Sequence, residues 1–490
     1  MRMKRKGRLL LVLGIVFLVL AGGIAWSQVT ERVSVDTTGV EGNNASTAPS
    51  NSSDGRYVAF ESKADNLVAG DILGFDDIFV RDLQTPTTTR VSVDSGGAEG
   101  SGHSYSPSIS GDGRYVAFES NANDLVAGDT NPLSDIFVHE LPGGPTTLVS
   151  VDSFGVQDVP SSSFSPSISA DGRYVAFDSD ADLAAGDTNG KVDIFVHDRD
   201  ADGNGTYDEP GPVGVSTVRV SVATGGVEVD DPSYSPSISA DGRYVAFESI
   251  SPDLVIGDNN VSTDIFVHDR QTVTTTRVSV ASGGVEGNDN SNAPSISADG
   301  SSVTFQSDAD NLVVGDTNVK SDIFVHHWQT VTTTRVSVDS LGVQGNGDSN
   351  APSISADGRY VAFESLSTNL VAGDGNGFSD VFVHDRDADG NGTYDEPGAI
   401  STVRVSVDLA GVEGNDNSNA PSISADGSSV TFQSDAFNLV VGDTLGFPDI
   451  FVDDLQAGAG GGGGGGSNSG GGGCFISTAA DGSGMAGEVK

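Results

Sequence analysis

Positive charge is scarce in this sequence. The 490 residues carry 69 Asp and Glu against 24 Lys and Arg, a formal net charge of −45. Five of the basic residues (Arg2, Lys4, Arg5, Lys6 and Arg8) crowd the N-terminus. Phosphate backbones are gripped by clustered Lys and Arg, so ordinary nucleic-acid binding is excluded. Docking on anionic lipid is disfavoured for the same reason. The single cysteine, Cys474, excludes an intramolecular disulfide framework and a Cys-based zinc site. Helical periodicity is missing beyond the first residues. The one long apolar run, Leu9–Leu20, follows the basic cluster and precedes small residues. That order reads as a secretory signal over 1–27, with Ala25 and Ser27 placed for cleavage before Gln28. Everything downstream is then expected outside the cytoplasm: in the periplasm, at the cell surface or released.

What the sequence has in abundance is repetition. An Asp-Gly pair recurs at Asp54, Asp112, Asp171, Asp241, Asp299, Asp357 and Asp426, at spacings of 58, 59, 70, 58, 58 and 69 residues. Each copy holds four strand-like runs, such as Ser235–Ser239, Tyr244–Ser249, Asp264–His268 and Thr274–Val280. The Asp-Gly pair marks a hairpin between the first two. The fourth is rich in Thr and Val, as strands prefer. Four antiparallel strands per repeat read as one propeller blade. The chain opens on a lone fourth strand, Thr30–Val35, and its last repeat has only Pro421–Ser424, Val430–Ser434 and Asp449–Val452. The fold class is therefore all-β: a seven-bladed β-propeller over 28–456, closed by the N-terminal strand pairing into the last blade. Closure removes an open sheet edge.

The wording DGRYVAF followed by DIFVHD resembles the WD-like propeller repeats of TolB and related periplasmic proteins. The resemblance spans all seven copies and implies fold far more than function. A glycine-rich linker follows over 457–473. The segment 474–490 begins Cys-Phe-Ile-Ser-Thr-Ala-Ala and resembles the CFI-box tail of bacterial exported proteins, which usually continues into a helical hydrophobic stretch.

Residues repeated seven times are structural before they are chemical. Phe60 and Phe79, with their counterparts in every copy, are expected to pack blade on blade. The acids of the Asp-Gly turns, of the Asp71 column and of the Asp77 column are expected to accept backbone N–H bonds in turns. Asp187-Thr188-Asn189 followed by Asp193 is shorter than a propeller calcium loop and is not assigned a metal. His139, His197, His268, His326 and His384 end third strands. They are expected to make ordinary strand-end hydrogen bonds, because packed sheets lie about 10 Å apart and cannot share one metal.

Two copies are longer by the same insert, DRDADGNGTYDEPG. Its spacing fits D-x-[DN]-x-[DN]-G closing on Glu at the twelfth position. Asp198, Asp200, Asp202, Asn204 and Glu209 are the predicted calcium ligands, with Gly203 at the turn and Thr206 acting through water. Asp385, Asp387, Asp389, Asn391 and Glu396 are predicted to repeat the site. Five acids in so short a loop repel one another without a cation. Strands flank the loop, so this is an EF-hand-like hairpin and not an EF-hand.

No catalytic constellation is present. There is no G-x-S-x-G, and the S-x-D-G turn is not the sialidase Asp-box. The expected function is a non-catalytic, monomeric scaffold that binds protein or glycan on the face carrying the long loops. The alternative is a carbohydrate- or peptide-active hydrolase or lyase using loop carboxylates.

Overall fold

The computed structural model describes residues 29–209 and 214–455. The signal-like segment, the glycine tract and the CFI-box-like tail lie outside the described residues. No helix occurs among the described residues, and seven four-stranded sheets follow one another along the chain. Blade 1 comprises Ser46–Asn51, Tyr57–Ser62, Asp77–Asp82 and Thr87–Arg90, joined in that order. Blades 2 to 6 repeat this plan. Blade 7 is built from Ser418–Ile423, Ser429–Ser434, Asp449–Asp454 and the N-terminal Thr30–Arg32. Thr30 pairs with Asp453 and Arg32 with Phe451, so the ring closes as the sequence predicts.

Several boundaries differ from expectation: the N-terminal strand is Thr30–Arg32 and not Thr30–Val35, and the last repeat has Ser418–Ile423 and Asp449–Asp454 in place of Pro421–Ser424 and Asp449–Val452. In blade 4 two of the differences have a local reason. The fourth strand of blade 4 is Thr274–Arg277 and stops before Val280. Beyond Arg277 the Val278 N–H still donates to Ile265 O, but the N–H of Ile265 turns to the hydroxyl of Ser279, so a side chain takes one of the two bonds of the next rung. The first strand starts earlier, at Ser233, and carries a register shift between Tyr234 and Ser237. Ser235, inside that bulge, has φ 54°.

The core lies between blades. Phe60 and Phe79 face each other across neighbouring strands with ring centroids 5.9 Å apart, and both are fully buried. Phe118 and Phe137 of blade 2 sit in one cluster with Ala59, Ile78 and Val80 of blade 1. Each buried ring contributes about 1.5–3 kcal/mol. The five strand-end histidines make the expected hydrogen bonds and prove to be buried: His268 Nδ1 lies 2.9 Å from Thr275 Oγ1, and burial lowers its pKa to about 4.

Closed belts of hydrogen bonds tie the inner strands together. On the tight-turn face the N–H of Ser53 donates to Gly111 O, and Asp112 N–H to Ala170 O. The belt continues through Ala240, Ala298, Ala356 and Ala425, whose N–H returns to Ser53 O. Small residues are required there. A Cβ on Gly111 would lie 2.5 Å from Ser53 Oγ. A second belt uses side chains: Ser50 Oγ accepts the N–H of Ile109, Ser108 that of Ile168, and so on round to Ser422 and Asn51.

Candidate functional site at the long-loop mouth of the channel

The inner strands ring a central channel, and their first halves lie toward the face with the long loops. The bulge there exposes one backbone N–H per blade at a left-handed residue, Ala48, Ser106, Ser165, Ser235, Ala293, Ala351 or Ala420, with φ between 49° and 54°. An acid or amide on the second strand of the preceding blade answers it. Glu61 accepts from Ser106 at 3.2 Å, Asp178 from Ser235 at 3.1 Å, Glu248 from Ala293 at 2.9 Å and Glu364 from Ala420 at 2.9 Å. Gln306 does the same for Ala351, and Gln433 for Ala48. Burial raises the pKa of Glu119 and Glu364 and lifts Asp178 to about 6.

Each of these residues lies directly across from one inner-strand residue, and direct partners share a face. Here the blades stop agreeing. Tyr105 lies opposite Glu119, Phe164 opposite Asp178 and Tyr234 opposite Glu248. Asn292 lies opposite Gln306, Asn350 opposite Glu364, Asn419 opposite Gln433 and Thr47 opposite Glu61. Phe164 is 39% exposed and Tyr234 41%, on strands otherwise enclosed by neighbouring blades. His103 stacks on Tyr105 at 5.8 Å and meets Phe75 edge-on at 5.0 Å. Blades 2 to 4 thus present an aromatic, acidic half of the mouth, and blades 5 to 7 an amide half.

Farther out, each blade gathers its repeated acids around one group. In blade 1, Arg90 ends the fourth strand and lies 3.3 Å from Asp71, 3.4 Å from Asp77 and 3.4 Å from Glu99. Arg219, Arg277, Arg404 and Arg32 repeat this arrangement. Burial lifts Asp71 to about 7 and Asp77 to about 6. Asp71, Asp77 and Glu99 stand close enough to hold a metal ion, as do the equivalent acids around Asp258, Asp374 and Asp443. A guanidinium already lies among each of these groups. Blade 2 is instructive: Leu148 replaces the arginine and Gln157 the glutamate, and the Gln157 amide donates to Asp129 and Asp135 instead.

The two inserted hairpins stand on the opposite, tight-turn face. Asp198 closes the third strand of blade 3 and receives Nε and Nη2 of Arg173 at 2.7 and 2.9 Å. Asp208 receives Arg199, whose guanidinium packs against both Tyr115 and Tyr207. Two of the five loop acids are therefore neutralised by arginine. The remaining three all hydrogen-bond to one residue, Asn204, through its backbone or its side chain. Asp200 accepts the N–H groups of Asn204 and Gly205 at 2.9 and 3.1 Å. The Asn204 amide donates to Asp202 at 2.9 Å and Glu209 at 2.5 Å. In the second copy Asp385 receives Arg359, while Asp387, Asp389 and Glu396 gather around Asn391. Of the predicted ligands, Asp198 and Asp385 are thus turned to arginine, away from the group centred on the asparagine.

This fold has relatives among solved propellers. TolB from Acinetobacter baumannii is similar at 12% identity, over 82% of this chain and 81% of that one, with a TM-score of 0.35. The β-propeller domain of the trilobed protease from Pyrococcus furiosus, described as having an open velcro topology, is similar at 10% identity over 84% and 95%, with a TM-score of 0.47. An oligogalacturonate lyase in complex with manganese is similar at 12% identity over 88% and 91%, with a TM-score of 0.46. At this distance the likeness extends to the fold alone, which TolB shares with peptidases and lyases. No family model and no curated protein matches the chain.

Two features of the site carried a signal in the sequence that periodicity and motifs do not announce. The arginine column was visible as the repeated TTTR or TVR, with its paired exception at Leu148 and Gln157. The uneven mouth was visible as two changing letters in an otherwise repeated strand: STAP, SYSP, SFSP, SYSP, then SNAP three times.

Proposed function

We propose that this chain is an exported, non-catalytic β-propeller scaffold that binds protein or glycan at the long-loop mouth, with calcium stiffening the two inserted hairpins. The observation that carries the reading is the division of labour among positions. The repeated positions are consumed in packing, in the belts or, in all blades but the second, around an arginine, whereas the mouth position changes from aromatic to amide around the ring. Long loops on a rigid scaffold are suited to recognition. The carboxylates that a hydrolase would need are engaged by Arg side chains and backbone N–H groups, which supports binding over turnover. Export rests on the N-terminal signal pattern. Calcium rests on the ligand spacing of the insert, whose Asp200, Asp202 and Glu209 all hydrogen-bond to Asn204, with the second copy alike. The test is to present a glycan library and a peptide library to the protein, reading both capture and product. Capture without product is the expected result. Turnover, or capture of nothing, overturns the proposal.

A further inference from the structure

The mouth has a chemical polarity that narrows its ligand, given that it is the binding surface. On the blade 2–4 side every cross-strand pair couples an aromatic ring to a carboxylate, and none of these positions holds Lys or Arg. Aromatic faces and carboxylates share one preference: both attract an organic cation. Asp76, Glu61 and Glu119 stand near Tyr105, so three acids surround that ring. A neutral ligand relieves none of that charge. Opposite stand Asn292, Asn350 and Asn419, half-buried on inner strands. Their amides offer a donor and an acceptor each, the complement of a peptide main chain.

We propose that the long-loop mouth binds an extended peptide bearing a lysine or arginine, the cation held by Tyr105, Phe164 and Tyr234 with their paired carboxylates, the main chain by the three asparagines. The side chain enters on the aromatic half, and the backbone crosses to the amide half.

The ring itself supplies the test. Blades 5 to 7 already carry Asn at this position, so Phe164→Asn and Tyr234→Asn ask the fold for nothing it does not accept elsewhere. Fluorescence anisotropy is read with a labelled Ala-Lys-Ala-Lys-Ala peptide, its Glu counterpart, and spermidine as competitor. The Lys peptide should bind and the Glu peptide should not. The double variant should lose about tenfold in affinity, which is the range of one or two cation–aromatic contacts. Thr272→Ala, in an exposed turn on the opposite face of blade 4, should change nothing. Melting curves report whether each variant is folded. A Lys peptide that binds no better than the Glu peptide overturns the inference, as does binding untouched in the folded double variant. Spermidine binding as tightly as the peptide assigns the site to small cations instead. Capture of a glycan that the same variants abolish removes the peptide but leaves the scaffold reading standing.

Discussion

Arg277 stands 3.3 Å from Asp258, 3.3 Å from Asp264 and 2.7 Å from Glu286, with little of its side chain exposed. Removing one partner of a buried ion pair costs about 3–5 kcal/mol, because the remaining charge is left uncompensated. Arg277→Leu should therefore lower stability by that order in a denaturant melt. Adding Glu286→Gln should recover a good part of it, since blade 2 lives with Leu148 and Gln157. A double variant no more stable than the single one would show that the amide does not stand in for the guanidinium. Asp453 offers a second residue-level test. It occupies the column held by histidine in blades 2 to 6, is fully buried, and has no hydrogen-bond partner for either carboxylate oxygen. Burial lifts its pKa to about 7, against about 3.9 unfolded. The folded state thus binds the proton more tightly. Its contribution is fully present below about pH 4 and is lost as pH rises to about 7, by about 4 kcal/mol at most. Asp453→Asn should be more stable than the parent at pH 8 and lose that advantage by pH 4. A difference that does not change with pH would contradict the sign.

The inserted hairpins are tested as elements. Calcium should raise the melting temperature and chelator should lower it, by ligand linkage. Glu209→Gln with Glu396→Gln should remove most of the rise. Asp198→Asn should act differently: it breaks the pair with Arg173 and should lower stability with or without calcium. Equal loss of calcium response in both variants would restore Asp198 to the ligand set. How much of this was legible follows from the chemistry of each signal. Strand count, blade count and the closing strand could be read because alternation, turns and repeats are local in sequence. The loop spacing was equally visible. Its arginine partners were not, because Arg173 and Asp198 lie on different strands and meet only through register. The same holds for the mouth: that Tyr234 shares a face with Glu248 is a consequence of the bulge, which no local propensity announces.

At the scale of the whole molecule, stability rests on a ring, and a ring has no independent segment. Deleting Val29–Val35 removes the outer strand of blade 7 and exposes the edge of Asp449–Asp454. The truncated protein should aggregate or melt far below the parent. A monomer with an unchanged melting temperature would show that the seam carries no load. The seam also sets a clock. Thr30 is made first, yet its partner Asp453 comes near the end of the propeller, so the earliest strand waits for almost the entire chain. Contacts so distant in sequence form slowly, because loop closure must precede their reward. In that interval the waiting strand is available to the same groove of another copy, and crowded refolding should yield exchanged dimers and longer chains. Moving the segment 29–35 to follow Leu455 through a short linker would make the two partners neighbours. That permuted protein should keep the fold, refold faster, and give a yield that no longer falls as its concentration rises.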